Sequence, residues 1–435
     1  MTRNVNIVGG GIAGLIAAIE LARSGLRVTL FEKATELGGR ARTREVQGFR
    51  FNQGPHALYC NGAFKRELDR LKVGYTGAAS LSGGRKAILQ GKLYELPDTM
   101  TSLLYTRLFG MRDKLAFVRL LKTIAKGATG PGTYAEWLDA QLLSPAVRKG
   151  AESLARLQSY ANAPAIVSAT KMLEQMKIGL GGTLYVDRGW SSLVAALADA
   201  AIGAGVRINR QSAAMHLVST DEFSQLKLRD GSEHLADATI LAIGPRDAAS
   251  LAPGIVSLGR EADEARSVRV NTLDLALQRW PLGAHEFAIG IDVPFYVSLH
   301  SGAASLAPDG GALVHLAKYL PINVGPGSNA TQELESVADL VLPGWRIEEV
   351  ARQQLRGMTV MHGLPRADRP RPDVVVTDAK GIFISGDWVG SEGMLADAAA
   401  ASAIRAARMT IEFLSATEPA RRKPALNTNA SEAAR

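Results

Sequence analysis

The segment from Val5 to Glu32 leaves the chain few choices of fold. Val5 to Val8 reads as a short buried strand, and Gly9, Gly10, Gly11, Ile12, Ala13 and Gly14 follow it directly. A helical pattern runs from Leu15 to Ser24, Gly25 can end it with a positive φ, and Val28 to Phe31 reads as a second strand with Glu32 at its end. This is G-x-G-x-x-G (Gly9, Gly11, Gly14) inside a strand–helix–strand unit. Gly9 permits the tight turn, Gly11 lets backbone approach a pyrophosphate, and Gly14 lets the helix pack close to the strand. The helix start at Ile12 and Ala13 offers unpaired N–H groups and a positive dipole end to phosphate. Glu32, followed by Lys33, stands where a carboxylate accepts hydrogen bonds from ribose hydroxyls, and its charge argues against a 2′-phosphate there. The pattern predicts an α/β, Rossmann-like dinucleotide-binding domain.

At 435 residues, the chain has room for two domains sharing one ligand. Its apolar fraction of 46% and charged fraction of 21% are those of a globular protein. The net charge of +8 raises anionic partners, but no basic tract carries the interleaved aromatics of a single-strand nucleic-acid binder, so nucleic acid is not an expected partner. Cys60 is the only cysteine, which excludes an intramolecular disulfide and any cysteine-built metal site; it reads as a small buried apolar residue. No H-E-x-x-H or comparable spacing suggests a metal. The N-terminus runs straight into the first strand and no apolar run is long enough for a bilayer, so a cytoplasmic protein without a signal peptide is expected, with membrane contact as the alternative.

The segment Leu37-Gly38-Gly39-Arg40-Ala41-Arg42-Thr43, shortly after the ribose-side acid, resembles the second Gly-Gly-Arg motif of the flavin-containing amine oxidase and phytoene desaturase superfamily. That resemblance implies FAD as the dinucleotide, with Gly39 and Arg40 along its pyrophosphate and flavin. A guanidinium offers several donors and a permanent charge to a pyrophosphate. Phe51-Asn52-Gln53-Gly54-Pro55-His56 resembles the superfamily's strand and turn that reach the flavin ring, and His56 is the one catalytic candidate in this half. Far along the chain, Gly381 to Ser385 reads as a strand ending in Gly386-Asp387-Trp388, and Met394-Leu395-Ala396-Asp397 opens an alanine-rich helix to Arg408. The superfamily places such a Gly-Asp pair against the ribityl chain and pyrophosphate, and the helix start (Met394, Leu395) at the flavin pyrimidine edge, where a dipole would stabilise negative charge. It also implies backbone contacts to FAD near Ala214 and Gly244. The C-terminal cysteine that links flavin covalently in monoamine oxidases has no counterpart here, so the FAD is expected to be non-covalent.

Between these motifs, residues 98–178 are mostly helical by pattern, and 268–320 alternate like strands (Thr272–Leu277, Phe295–Leu299, Ala312–Tyr319). Asp187-Arg188-Gly189-Trp190 precedes a helix from Ser191 to Ala204. Ala213–Leu217 and Gln225–Leu228 form a hairpin around Thr220-Asp221, Thr239–Ile243 is a strand, and Glu333–Leu342 a helix. The expected architecture is therefore discontinuous: an FAD-binding domain of 1–75, 180–255 and 350–415, an inserted α+β substrate domain of 76–179 and 256–349, and a disordered polar tail of 416–435. Residues 103–126 combine apolar Leu103, Leu104, Leu108, Leu115, Val118, Leu121 and Ile124 with six basic residues and only Asp113 as acid. This is the composition either of a packed helix with a solvated face or of one lying on an anionic membrane.

In this superfamily flavin does the redox step and the protein positions the substrate, so no catalytic triad is expected. The leading reading is a dehydrogenase or desaturase taking a hydride from a largely apolar small molecule. An amine or amino-acid oxidase releasing hydrogen peroxide, with Trp388 beside the flavin, and a non-catalytic FAD-binding protein are the alternatives. Oxygen or a quinone would serve as electron acceptor.

Overall fold

The structure is a computed structural model that describes residues 2–79 and 84–417. Its organising element is a five-stranded parallel sheet in the spatial order Arg207–Asn209, Arg27–Phe31, Asn4–Val8, Ala238–Leu241, Ile382–Ile384. The central strand pairs Val5 with Val28 on one side and with Ala238 on the other, and Thr239 in turn pairs with Ile382. Sequence-distant segments thus meet within one sheet. Both faces are covered, as parallel strands require. Helix Ile12–Arg23 packs against helices Ser191–Gly203 and Leu395–Ala416, and Leu15, Ile16, Ile19, Leu193, Leu197, Ala403 and Ala407 share the core with Ile7, Leu30 and Ile240. The alanine-rich face of the last helix lets its backbone approach helix Ile12–Arg23 closely.

A seven-stranded mixed sheet runs in the order Glu349–Met361, Val268–Leu277, Ala312–Tyr319, Phe295–Leu299, Phe287–Gly290, Lys86–Leu89, Lys92–Glu95. Its pairs are antiparallel except Phe287–Gly290 with Lys86–Leu89. Val268–Leu277 is buried at nine of its ten positions because both sheet faces are covered. Helices Met111–Ala125, Tyr134–Ala140, Pro145–Ser159 and Ala169–Leu180 cover one face, and helix Ala330–Val341 the other.

The strand Glu349–Met361 pairs with Val268–Leu277 along most of its length, so residues 350–361, expected with the dinucleotide-binding part, hydrogen-bond into the other sheet. Conversely Gly77–Ala79 pairs with Thr183–Val186, which joins Leu58–Tyr59. The hairpin is Ala214–Ser219 with Ser224–Leu228, extended by Glu233–Ala236. The stretch expected as one amphipathic helix over 103–126 divides into Met100–Tyr105 and Met111–Ala125, because Thr106 turns inward and donates its hydroxyl to the Glu95 carbonyl at 2.6 Å. The final helix runs on to Ala416, past the expected end at Arg408; residues 418–435 of the expected disordered tail lie outside the described residues.

A buried polar network joins the seven-stranded sheet to the end of strand Phe49–Asn52, which forms a hairpin with Thr43–Val46. Asp274 takes the His315 Nδ1–H on one carboxylate oxygen and Gln353 Nε2 on the other, at 3.1 Å for the latter. Gln353 Nε2 also donates to the Asn52 carbonyl at 2.7 Å, and Gln353 Oε1 accepts from Gln53 Nε2 at 3.2 Å. Replacing Asp274 with Ala would leave donors of His315 and Gln353 buried and unpaired. The expected cost is about 2–6 kcal/mol, given a penalty of about 1–3 kcal/mol for each of the two orphaned groups. It would be read as a lowered midpoint in urea denaturation.

Candidate functional site

A cavity of about 780 Å³ opens along the C-terminal ends of the parallel strands and continues under the seven-stranded sheet. That end of a doubly wound sheet is where ligands bind, because the helix starts and strand-end loops converge there. Gly9, Gly11, Ile12, Ala13, Glu32, Lys33, Gly39, Arg40, Pro55, His56, Gly244, Gly386, Asp387 and Leu395 line it. Four other residues singled out in the sequence do not: Gly14, Gly54, Ala214 and Met394 stand behind the wall or away from it. A Cβ on Gly14 would fall 1.9 Å from the Gly9 carbonyl oxygen, so its bareness lets the helix close on the turn. Gly54 has φ +100°, and a Cβ there would meet Met358 Sδ at 2.1 Å. Met394 is the buried residue preceding the last helix, and Ala214 opens a strand paired with Leu228.

At the turn itself, Gly9 has φ +106°, and a Cβ would lie 2.6 Å from the Ala242 carbonyl oxygen. The ends of the neighbouring strands Asn4–Val8 and Ala238–Leu241 therefore meet with no room for a side chain. Glu32 is buried and held from both sides, since Gly10 N–H donates to Oε2 at 2.7 Å and Ala34 N–H to Oε1 at 2.8 Å. The carboxylate is fixed at the strand end with lone pairs to spare. The Gly38 N–H bonds the Gly10 carbonyl at 2.8 Å, which docks the second glycine motif onto the first.

Asp387 is the electrostatic hub. Its buried carboxylate accepts Arg40 Nη1 at 2.6 Å and the His362 backbone N–H at 3.3 Å, and lies 3.2 Å from His362 Nδ1. Burial by itself would raise its pKa, but the Arg40 guanidinium and the His362 ring outweigh that and hold it well below the usual carboxylate range. Arg40 Nη1 also reaches the Val360 carbonyl at 3.0 Å. Arg371 bonds the carbonyls of Asp387, Gly390, Glu392 and Gly393, pinning the loop that precedes the last helix, and burial lowers its pKa to about 10. Sequence reasoning missed His362 and Arg371, which belong to no glycine motif.

His56 donates Nδ1–H to the Gly54 carbonyl at 2.8 Å, since a carbonyl only accepts, and packs 4.6 Å from the Trp190 ring. Desolvation lowers its pKa to about 4, partly offset by that bond, so the ring is neutral at physiological pH. Trp388 donates Nε1–H to the Ile243 carbonyl at 2.9 Å and stands beside Gly244, on the glycine-turn side of the cavity. Leu58, Tyr59, Phe64, Tyr160, Leu355 and Met358 form an apolar and aromatic stretch of the remaining wall, beside polar Gln53, Gln354, Arg356 and Thr359.

The sequence pattern of the flavin-containing amine oxidoreductases matches residues 12–411. The chain belongs to that family. It is an oxidoreductase whose cofactor is FAD. A carotenoid 3,4-desaturase of Haloarcula japonica is 51% identical over 63 residues, a match covering 14% of this chain and 13% of that protein. Among solved structures, an oxidoreductase from Methanosarcina mazei superposes with a TM-score of 0.74 at 18% identity, over 94% of this chain and 100% of that one. Cyclohexylamine oxidase from Brevibacterium oxydans does so with a TM-score of 0.71 at 17% identity, over 95% and 100%. At these identities the structures establish the shared fold.

The residues present fit FAD. The cradle at Gly9 and Gly14 exists only because no Cβ fills it, and the helix start at Ile12 faces it. Because the native pKa of Asp387 lies below its ordinary value, its ionised form stabilises the fold above pH about 4, and that contribution disappears as the pH falls below 4. Asp387→Asn should therefore melt lower than the parent protein at pH 7, with the gap narrowing towards pH 3 in thermal denaturation followed by circular dichroism.

Proposed function

We propose that this flavoenzyme dehydrogenates a largely apolar small molecule, a desaturase-type reaction. The observation that carries this reading is the continuity of one cavity from the glycine cradle to the wall of Leu58, Tyr59, Phe64, Tyr160, Leu355 and Met358. A wall of this kind recognises a substrate by burial of apolar surface, with few directional bonds. The match to a carotenoid desaturase supports the same reading.

In this proposal Gly9, Gly11, Ile12 and Ala13 hold the pyrophosphate with Gly39 and Arg40, while Glu32 and Lys33 flank the adenosine ribose. Gly386 and Asp387 follow the ribityl chain, Gly244 closes the opposite wall, and Pro55, His56 and Leu395 border the ring. Gly14, Gly54, Ala214 and Met394 act from behind by setting backbone position. Bound FAD supplies the acceptor for hydride. The protein's part is to orient a C–H bond towards that acceptor and to keep water out. His56, being neutral, contributes packing and a hydrogen bond and carries no charge towards the substrate.

A membrane surface is the proposed source of such a substrate. Leu104, Tyr105, Met111 and Leu115 are all exposed, and Lys114 Nζ bonds the Leu104 carbonyl at 2.6 Å, which brings the two helices bearing them together. Arg107, Arg112 and Arg119, close to them in sequence, are exposed too. Apolar side chains accompanied by arginine fit an anionic bilayer. Among the described residues no helix is long and apolar enough to cross one.

The purified protein should show flavin absorption bands that acid precipitation releases into the supernatant. Under anaerobic conditions a polyene or another apolar C–H donor should bleach those bands. Bleaching by amines with peroxide release, and none by apolar donors, would assign the chain to amine oxidation instead. In flotation assays the protein should rise with phosphatidylglycerol-containing vesicles, and Leu104→Ser with Leu115→Ser should reduce that fraction severalfold; equal flotation of parent and variant would exclude this surface.

A further inference from the structure

Gln53 is a polar side chain of the cavity wall that the protein holds from behind. It follows the strand Phe49–Asn52 directly, three residues before His56, and lines the cavity half-buried. An amide can present either its oxygen or its NH2 group, and the two ends are alike in shape. Here a chain of partners forces the choice. The Asn52 carbonyl accepts hydrogen bonds and never donates them, so the end of Gln353 that faces it at 2.7 Å is the NH2 group. The second hydrogen of that group goes to Asp274 Oδ2 at 3.1 Å, while His315 holds the other oxygen of the acid. Gln353 therefore turns Oε1 towards Gln53, and Gln53 meets it with its own NH2 group at 3.2 Å. That leaves Gln53 Oε1. It has no partner among the described residues, and it is not one of the polar atoms sealed in the interior.

We propose that Gln53 Oε1 is a fixed hydrogen-bond acceptor for the substrate, and that the substrate is an apolar molecule carrying a neutral donor, a hydroxyl group, at that point. The inference rests on the apolar-substrate reading and adds a polar group that such a substrate bears. Gln353 is then a positioning residue. It is buried, does not line the cavity, and acts by holding the Gln53 amide one way round. Leu355 and Met358, on the same strand as Gln353, do line the cavity, so apolar surface and the acceptor come from adjoining elements.

The charges of the wall favour a hydroxyl over a protonated amine. Its acids are Glu32, Asp247, Asp387 and Asp397, and each already holds a donor of the protein. An ammonium group bonded to the amide oxygen of Gln53 would be an enclosed charge without a counter-ion of its own. A hydroxyl needs none. An apolar ligand with no donor would cover the same oxygen and exclude water from it, leaving an acceptor bare. A site built to bond a hydroxyl therefore rejects the analogue that lacks one.

The test is equilibrium binding to the full-length, FAD-loaded protein at neutral pH, with decanol, its methyl ether and decylamine as probes, read as shifts of the flavin absorption bands. The parent protein should bind decanol about fivefold to a hundredfold more tightly than the ether, the range for a bond whose loss leaves an acceptor bare. Decylamine, protonated at this pH, should bind more weakly than decanol. Gln53→Met keeps the length of the side chain without its amide, and should bind decanol and the ether within about twofold of each other. Gln353→Met frees the Gln53 amide to turn either end to the cavity, and should narrow the preference for decanol at least about threefold. A merely structural role for either residue would weaken both ligands alike and leave their ratio unchanged. Equal binding of decanol and the ether by the parent protein, or an undiminished preference in Gln53→Met, overturns the assignment of Gln53. An unchanged ratio in Gln353→Met overturns the positioning role of Gln353. Tighter binding of decylamine than of decanol overturns the neutral hydroxyl. If none of the three probes shifts the flavin bands of the parent protein, the apolar-substrate reading on which the inference rests falls instead.

Discussion

The buried carboxylate of Asp387 is the interaction on which the assembly of the site depends. Arg40 comes from the second glycine motif itself, His362 from just beyond the last strand of the seven-stranded sheet, and Asp387 from the loop after the last parallel strand. None is near another in sequence, yet all meet on one side chain. A carboxylate buried this deeply is tolerable only while its partners remain, because leaving it unpaired costs about 3–5 kcal/mol. The ion pair therefore links correct closure of the two sheets to the geometry of the cavity between them. Arg371 extends the same logic with carbonyl partners, fixing the loop from Asp387 to Gly393 so that the last helix begins where the cavity needs it.

The glycine positions explain what was legible in the sequence. Gly9, Gly14 and Gly54 have neighbours less than 3 Å from where a Cβ would stand, so the residue type records the contact directly. A backbone approach of that kind leaves a mark in a linear string: a glycine at fixed spacing, with a strand before it and a helix after. The parallel sheet, Glu32 at its strand end and the Gly-Asp pair could all be read in this way. The strand Glu349–Met361 could not, because its half-buried alternation fits either sheet, and only pairing with Val268–Leu277 decides between them.

The polar core of the substrate side was illegible for a different reason. Asp274, His315, Gln353 and Gln53 form one chain of hydrogen bonds across sequence separations of up to 300 residues. Each looks in sequence like an ordinary polar residue in a strand or loop. The same is true of the apolar wall, where Tyr59, Phe64, Tyr160 and Met358 come from separate elements. Apolar residues are core by default, and nothing local distinguishes those facing a cavity from those packed against protein. His56 could be picked out, but its neutrality could not, since desolvation depends on what surrounds it.

These differences bear on how the reaction is divided between protein and cofactor. A hydride acceptor built into a ligand relieves the protein of supplying a nucleophile or a metal, and what remains is placement. Placement is written in shape. The glycine turn is a space kept free of side chains. Its unpaired backbone N–H groups offer a bound dinucleotide something to satisfy. Occupancy and stability are then coupled: by mass action, a ligand held only by the native state stabilises that state in proportion to the logarithm of its concentration over Kd. The N-terminal turn would supply the part of that coupling common to any dinucleotide.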